Sequence, residues 1–370
     1  MIQSQLGFFL CSCYTHRMLV CYTGGGTLGH IYPALAVHQV LKNQDAYQCF
    51  WIGRKNEAEM KAVESAGIRF YPIQSGKFRR YSSYKNFTDL FNLLVAFFQA
   101  LAILNREKPD VLFSKGGFVS VPPVFAARLL NIRVVTHESD ASPGLATRLN
   151  AFCATRICIP FAGSEASLPT HKIVVTGNPL RSELFEIPEK SLKERLGIEP
   201  SVPLLFVMGG SQGAMQINEL VRTNLDALCS KAFVYHQCGS ADYVKIEHEN
   251  YLAFAMVGNE MGSLYRESTL VVSRGGAGSL GELSAFGCAA IIIPLSLETS
   301  RGDQILNARH LEDAGAARIL WGAVTPEIFL QEVLDLLENQ DKRSILAETM
   351  KTLAVTDAAE KIATVLRKEE

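Results

Sequence analysis

Three stretches place glycines at the end of an apolar run: TGGGTLGH (23–30), MGGSQGA (208–214) and SRGGAGSLGE (273–282). A glycine turn between a strand and a helix leaves the first backbone N–H groups of the helix unpaired. Such groups hold phosphate without a side-chain cation. The first stretch ends on His30, which no phosphate loop requires, and an imidazole takes up protons near neutrality. The spacing Gly24-x-Gly26-x-x-Gly29 is also that of a dinucleotide loop, which calls for an acid about 20 residues on, at the end of the next strand. Here that strand ends Trp51-Ile52-Gly53-Arg54, so NAD is disfavoured and only NADP stays open, through Arg54. The acid comes instead in the third stretch. Glu282 follows Arg274-Gly275-Gly276-Ala277-Gly278-Ser279 closely enough to hold a ribose whose phosphates rest on that helix start. The expectation is a nucleotide on the second half of the chain, with the first loop and His30 facing it across a cleft.

Elements that would position these loops are legible as alternation. Apolar runs of strand length separate longer helix-like segments, the pattern of parallel α/β architecture. In the first half strands are expected at 18–23, 48–53, 110–114, 132–136, 156–159 and 172–176, with helices at 33–43, 57–66, 87–106 and 121–130. After the turn-like TGNPLRSE (176–183), strands follow at 203–208, 232–237, 252–257, 269–273 and 289–293. The chain of 370 residues is long for one core, and two doubly wound units are the economical reading. The boundaries are 18–178 and 179–340, with a final helix-like stretch 341–368 expected to pack back on the first unit. Residues 1–17 are expected to be a disordered leader; their patch LGFFLCSCY lacks the basic start and cleavage site of a signal peptide.

Composition narrows the function classes. Hydrophobic residues make up 48% and charged residues 20%, ordinary for a globular chain. Nine cysteines without a C-x-x-C pair point to reduced thiols and to no structural metal. No apolar run reaches membrane-spanning length. Residues 16–178 hold 18 Lys and Arg against 10 Asp and Glu, whereas 179–370 hold 18 against 27. A basic half joined to an acidic half suggests that one half faces an anionic surface. The segment 77–99, KFRRYSSYKNFTDLFNLLVAFFQ, has basic Lys77, Arg79, Arg80 and Lys85 before an apolar helix. That order fits interfacial binding to anionic lipid as well as it fits a core helix behind a solvated loop.

The motifs GGGTLGH, SKGGFVSVP (114–122), HESDASPG (137–144), TGNPLR (176–181), MGGSQGA, SRGGAGSLGE and RGDQILNA (301–308) occur in that order. Together they resemble the MurG family over residues 18–368. The resemblance implies a glycosyltransferase-B fold of two Rossmann-like domains. It implies transfer of N-acetylglucosamine from UDP-N-acetylglucosamine to the muramoyl sugar of undecaprenyl-linked lipid I, giving lipid II, with inversion at the anomeric carbon. The expected setting is peripheral, on the cytoplasmic face of the plasma membrane. Other cell-wall enzymes are expected as neighbours, and no nucleic acid or cofactor. A different glycosyltransferase-B transferase, a UDP-sugar epimerase and a non-catalytic nucleotide-sugar binder are the alternatives.

By the same resemblance the donor contacts fall on Arg181, Ser211, Gly258, Arg274, Ala277, Gly278, Ser279, Leu280, Gly281, Glu282, Asp303 and Gln304, with Thr27, Leu28, Gly29 and Asp140 opposite. Gly25, Gly26, Gly116 and Gly117 are placed on the acceptor side. Direct displacement needs a base at the acceptor hydroxyl and stabilisation of the departing diphosphate. His30 and Glu138 both stand as candidate bases. The sequence has no Asp-x-Asp pair of the kind that holds manganese, so no metal is expected and the glycine loops would carry the leaving group. The chain departs from the family pattern at Phe118, where a tyrosine is usual, at Ser139-Asp140 in place of Gln-Asn, and at Asp303 in place of an amide.

Overall fold

The computed structural model describes residues 17–26, 28–43, 47–74, 85–164, 167–210, 213–297 and 302–368. Residues 1–16 of the expected leader, Thr27, Ser211 and the basic residues 77, 79 and 80 lie outside them.

Thirteen strands among the described residues form two sheets. The first contains β1 (Met18–Thr23), β2 (Tyr47–Arg54), β3 (Arg69–Ile73), β4 (Val111–Ser114), β5 (Arg133–His137), β6 (Arg156–Ile159) and β7 (Ile173–Val175). The second contains β8 (Leu204–Met208), β9 (Phe233–Gln237), β10 (Tyr251–Phe254), β11 (Leu270–Ser273), β12 (Ala290–Ile292) and β13 (Arg318–Ile319). Every pairing within the sheets is parallel, in the orders β3-β2-β1-β4-β5-β6-β7 and β10-β9-β8-β11-β12-β13. Helices cover both faces of such sheets, so central strands are buried throughout and read as unbroken apolar runs; all five residues of β8 and all four of β4 are buried. In each sheet the order reverses beside the first strand of the unit, between β1 and β4 and again between β8 and β11. A crevice opens there at the strands' carboxyl ends, and all three glycine loops emerge at these crevices.

Two strands that the apolar runs did not announce, β3 and β13, are sheet edges. β3 carries Pro72, which an edge tolerates, and β13 has only two residues. The expected final helix is two. Gln340–Thr352 stays with the second lobe, where Met350 is fully buried beside Ser284. Only Ala358–Arg367 returns, adding Ile362, Ala363 and Leu366 to the core of Val20, Val37 and Phe113. Arg133 holds its end by donating to the carbonyls of Val365 at 3.1 Å and Lys368 at 2.6 Å. The chain therefore crosses between lobes twice, at 176–181 and 353–357. The crossings touch at Gly177, whose φ is +86° and where a Cβ would lie 2.5 Å from the Val355 side chain.

Candidate active site

On the first lobe, the loop after β1 is fixed from beneath. Glu59 Oε1 accepts the Gly26 amide at 3.1 Å and Arg54 Nε at 2.8 Å. Glu59 thus takes up Arg54 Nε and the Gly26 amide, two of the groups through which a dinucleotide phosphate would be held at this loop. Gly117, with φ +79°, comes so close that a Cβ would stand 2.2 Å from the Gly25 carbonyl oxygen. Glycine is needed there because the loops after β1 and β4 touch.

Those loops and the one after β5 enclose a cavity of about 370 Å³, lined by His30, Lys115, Gly116, Gly117, Glu138 and Asp140 among others. His30 ends the short turn Leu28–His30 and its Nδ1 lies 3.2 Å from the Lys115 carbonyl. A carbonyl only accepts, so Nδ1 carries the hydrogen and the neutral ring keeps its lone pair on Nε2. Glu138 is 7% exposed. Its Oε1 accepts the Ser139 and Asp140 amides at 2.8 and 3.1 Å, and its Oε2 the Gly144 amide at 3.0 Å. It thus braces the loop 138–144. Phe118 lines the same cavity with a ring that has no hydroxyl to offer.

On the second lobe, the helix Ala277–Phe286 begins at Gly276 with no side-chain cap, so its first N–H groups are available to a ligand. Gly276 lines a larger cleft of about 1230 Å³ with Gly209, Gly210, Gly213, Arg274 and, from the first lobe, Gly29. Asp303, Gln304 and Leu295 line both this cleft and the His30 cavity, so the two spaces share a wall. Gln304 Oε1 accepts the Leu295 amide at 3.1 Å, and Arg274 Nη1 donates to Gln216 at 2.9 Å and to the Ile293 carbonyl at 3.0 Å. Both side chains thus shape the cleft wall. Gly278 and Ser279 lie at the open start of the helix.

Glu282 is one turn along. Its Oε2 accepts Tyr265 Oη at 2.7 Å, and its Oε1 lies 3.8 Å from Arg181. Burial raises its pKa, while Tyr265 and Arg181 pull the other way. Arg181 also stacks on the first lobe's Tyr32, 4.8 Å from the ring centroid. Gly258 lines a neighbouring recess with Arg181 and Tyr32. Ala277, Leu280 and Gly281 face another way, into an inter-lobe cavity of about 290 Å³ beside the stacked rings of Phe161 and His310. The expected donor residues therefore divide over the large cleft, the Arg181 recess and this inter-lobe space.

Sequence reading passed over Lys115, Tyr265 and Asn307. Asn307 joins the lobes: its Oδ1 accepts the Ala141 amide at 2.8 Å, and its Nδ2 donates to Asp140 Oδ1 at 3.2 Å and the Gly275 carbonyl at 3.0 Å. Asp140 lies near Glu138 and Asp303, and its pKa is raised to about 6, by burial first and then by those two carboxylates. Lys115 and Asn307 both sit inside quoted motifs, a signal that could have found them; Tyr265 had none. Among the described residues no group of three His, Cys, Asp or Glu side chains is arranged to hold a metal.

Residues 20–159 match the glycosyltransferase family 28 N-terminal domain and residues 204–364 its C-terminal domain. A Clostridium botulinum (strain Langeland) protein named UDP-N-acetylglucosamine--N-acetylmuramyl-(pentapeptide) pyrophosphoryl-undecaprenol N-acetylglucosamine transferase is 40% identical over 351 residues, 94% of this chain and 98% of that one. A Treponema denticola protein of the same name is 40% identical over 343 residues, 86% of this chain and 88% of its own. Acinetobacter baumannii MurG superposes with a TM-score of 0.73 at 26% identity, covering 95% of this chain and 100% of that one. A Neisseria meningitidis UDP-GlcNAc 2-epimerase bound to UDP-GlcNAc shares the fold, with a TM-score of 0.67 at 15% identity over 95% of this chain and 100% of that one.

Proposed function

Because the chain belongs to the MurG family, we propose that it transfers N-acetylglucosamine from UDP-N-acetylglucosamine to the muramoyl sugar of undecaprenyl-linked lipid I, forming lipid II. One observation carries the reading at the level of the site. The His30 cavity and the cleft at the uncapped helix start share a wall of Asp303, Gln304 and Leu295. A sugar lying against that wall has the acceptor on one side and the departing diphosphate on the other, the arrangement of a direct displacement with inversion.

The roles follow from the chemistry of each group. Glu282 accepts the ribose hydroxyls, with Tyr265 and Arg181 fixing its carboxylate. The amides at 276–279 take up charge as it develops on the diphosphate, preorganised donors that need no metal. His30 Nε2 removes the acceptor proton, its tautomer set by the Lys115 carbonyl. Glu138 is the weaker candidate, since both its oxygens are turned to loop amides.

We assign membrane contact to the helix Lys85–Glu107. Ala96, Ala100 and Leu104 are buried on one face, while Phe91, Leu94 and Phe98 are 65%, 53% and 64% exposed on another. Among the described residues no helix is long and apolar enough to cross a membrane. This apolar ridge supports peripheral attachment to the cytoplasmic leaflet, where a polyprenyl acceptor would be met. The test of the whole reading is a radiolabelled transfer assay with UDP-N-acetylglucosamine and a lipid I analogue, with and without EDTA. Transfer that survives EDTA is expected; loss of label transfer on chelation, restored by a divalent cation, would overturn the metal-free mechanism.

A further inference from the structure

Lys115 directly follows β4 and is 1% exposed. A buried ammonium keeps its proton only with dipoles or anions around it. Its Nζ donates to Ser139 Oγ. Burial lowers its pKa to about 8, and the charges of Glu138, Asp140 and Cys158 oppose that fall. Its backbone carbonyl meanwhile receives His30 Nδ1. One residue thus grips two walls of the same cavity, the imidazole through its carbonyl and the loop 138–144 through its ammonium.

Other titratable groups share the cavity or its walls: His30 against the Lys115 carbonyl, then Glu138, Asp140 and Asp303. His137 is buried and held neutral, its pKa lowered by burial first and then by Lys115. The Cys158 thiol is pushed up to about 12 by burial, and Asp140 titrates lower, at about 6. Asp303 faces Asp140 from the second lobe and adds a further acid to the cavity.

We propose that Lys115 is a positioning residue of the transfer reaction, its ammonium clamping the 138–144 loop through Ser139 and offsetting the carboxylates that an acceptor diphosphate must approach. The role rests on the reading of the His30 cavity as the acceptor site. Neutral Lys115 would weaken its hold on Ser139 and leave Glu138, Asp140 and Asp303 uncompensated, so acceptor use should fail as pH rises while donor binding persists.

The experiment measures kcat and KM for a lipid I analogue and for UDP-N-acetylglucosamine across the pH range, for wild type, Lys115→Arg, Lys115→Met and Ser139→Ala. UDP titration calorimetry and melting curves run beside it. Wild-type kcat/KM for acceptor should fall about tenfold per unit above its alkaline pKa. Lys115→Arg should move that limb upward, because a guanidinium stays charged. Ser139→Ala should move it downward by removing an acceptor of the ammonium. Lys115→Met should lose the limb and, on the order of 100-fold, acceptor kcat/KM, with UDP affinity kept within about twofold. A limb unmoved in both Lys115→Arg and Ser139→Ala overturns the proposal, as does a Lys115→Met protein that loses UDP as badly as acceptor. If the arginine variant does not fold, Ser139→Ala and Lys115→Met decide. A limb unmoved in those variants while wild type transfers normally sinks only this role; wild type without transfer at any pH sinks the acceptor reading and this role together.

Discussion

Glu282→Gln should weaken donor binding and strengthen the unliganded fold at once. The side chain is 18% exposed, bonded to Tyr265 at 2.7 Å and 3.8 Å from Arg181, and burial raises its pKa. An acid with a raised folded-state pKa binds more protons folded than unfolded between the two values. Stability therefore falls as pH rises through that window and stays lowered above it. At neutral pH the carboxylate thus costs the empty protein stability, and a neutral amide that still accepts the Tyr265 hydroxyl removes the cost. A gain on the order of 1 kcal/mol would raise Tm by about 2–4 °C. Donor affinity moves the other way. Losing one charge-assisted bond to the ribose forfeits about 1.5–3 kcal/mol, about 10- to 150-fold in Kd. Calorimetric titration with UDP and melting curves with and without UDP read both effects, and kcat at saturating donor should change less than KM. An unchanged UDP affinity would refute the placement of the ribose on this carboxylate, and a lowered Tm in the absence of UDP would refute the stability cost assigned to its burial.

His30→Ala should lower kcat by about 10²–10⁴-fold with UDP affinity preserved; a greater turnover loss in Glu138→Gln than in His30→Ala would transfer the base to the carboxylate. Gly262→Ala would set a Cβ 2.0 Å from the Leu184 carbonyl oxygen, and overpacking of that kind costs about 1–3 kcal/mol. Thermal unfolding should show that loss while activity per folded molecule is retained. Replacing Phe91, Leu94 and Phe98 together by serine should reduce flotation with anionic liposomes and leave UDP affinity intact; equal flotation of variant and wild type would remove the ridge from membrane contact.

The legible parts of this chain are those where one physical requirement dominates. Leu204–Met208 and Val111–Ser114 are buried on both faces, so their apolar character needs no context to interpret. Edges obey looser rules, and Arg69–Ile73, with its proline, looks like loop until β2 pairs with it. The glycine turns were readable because close backbone approach leaves few substitutes for glycine, as Gly117 against Gly25 shows. What sequence could not display was partnership over distance. Arg54 suits a phosphate chemically, and only folding brings Glu59 against it. Asn307 reaches Asp140 across 167 positions, and no local pattern encodes that meeting. Tyr265 reads as an ordinary helix aromatic until its hydroxyl is found on Glu282.

The return of Ala358–Arg367 to the sheet built from residues 18–175 bears on how the molecule is made. During synthesis the earlier-translated half waits with a bare apolar trough beside Tyr32–Lys42 until nearly two hundred further residues have left the ribosome. Its assembly waits until Ala358–Arg367 has emerged, and a nascent chain stalled before position 358 presents that trough to chaperones, proteases or other stalled chains.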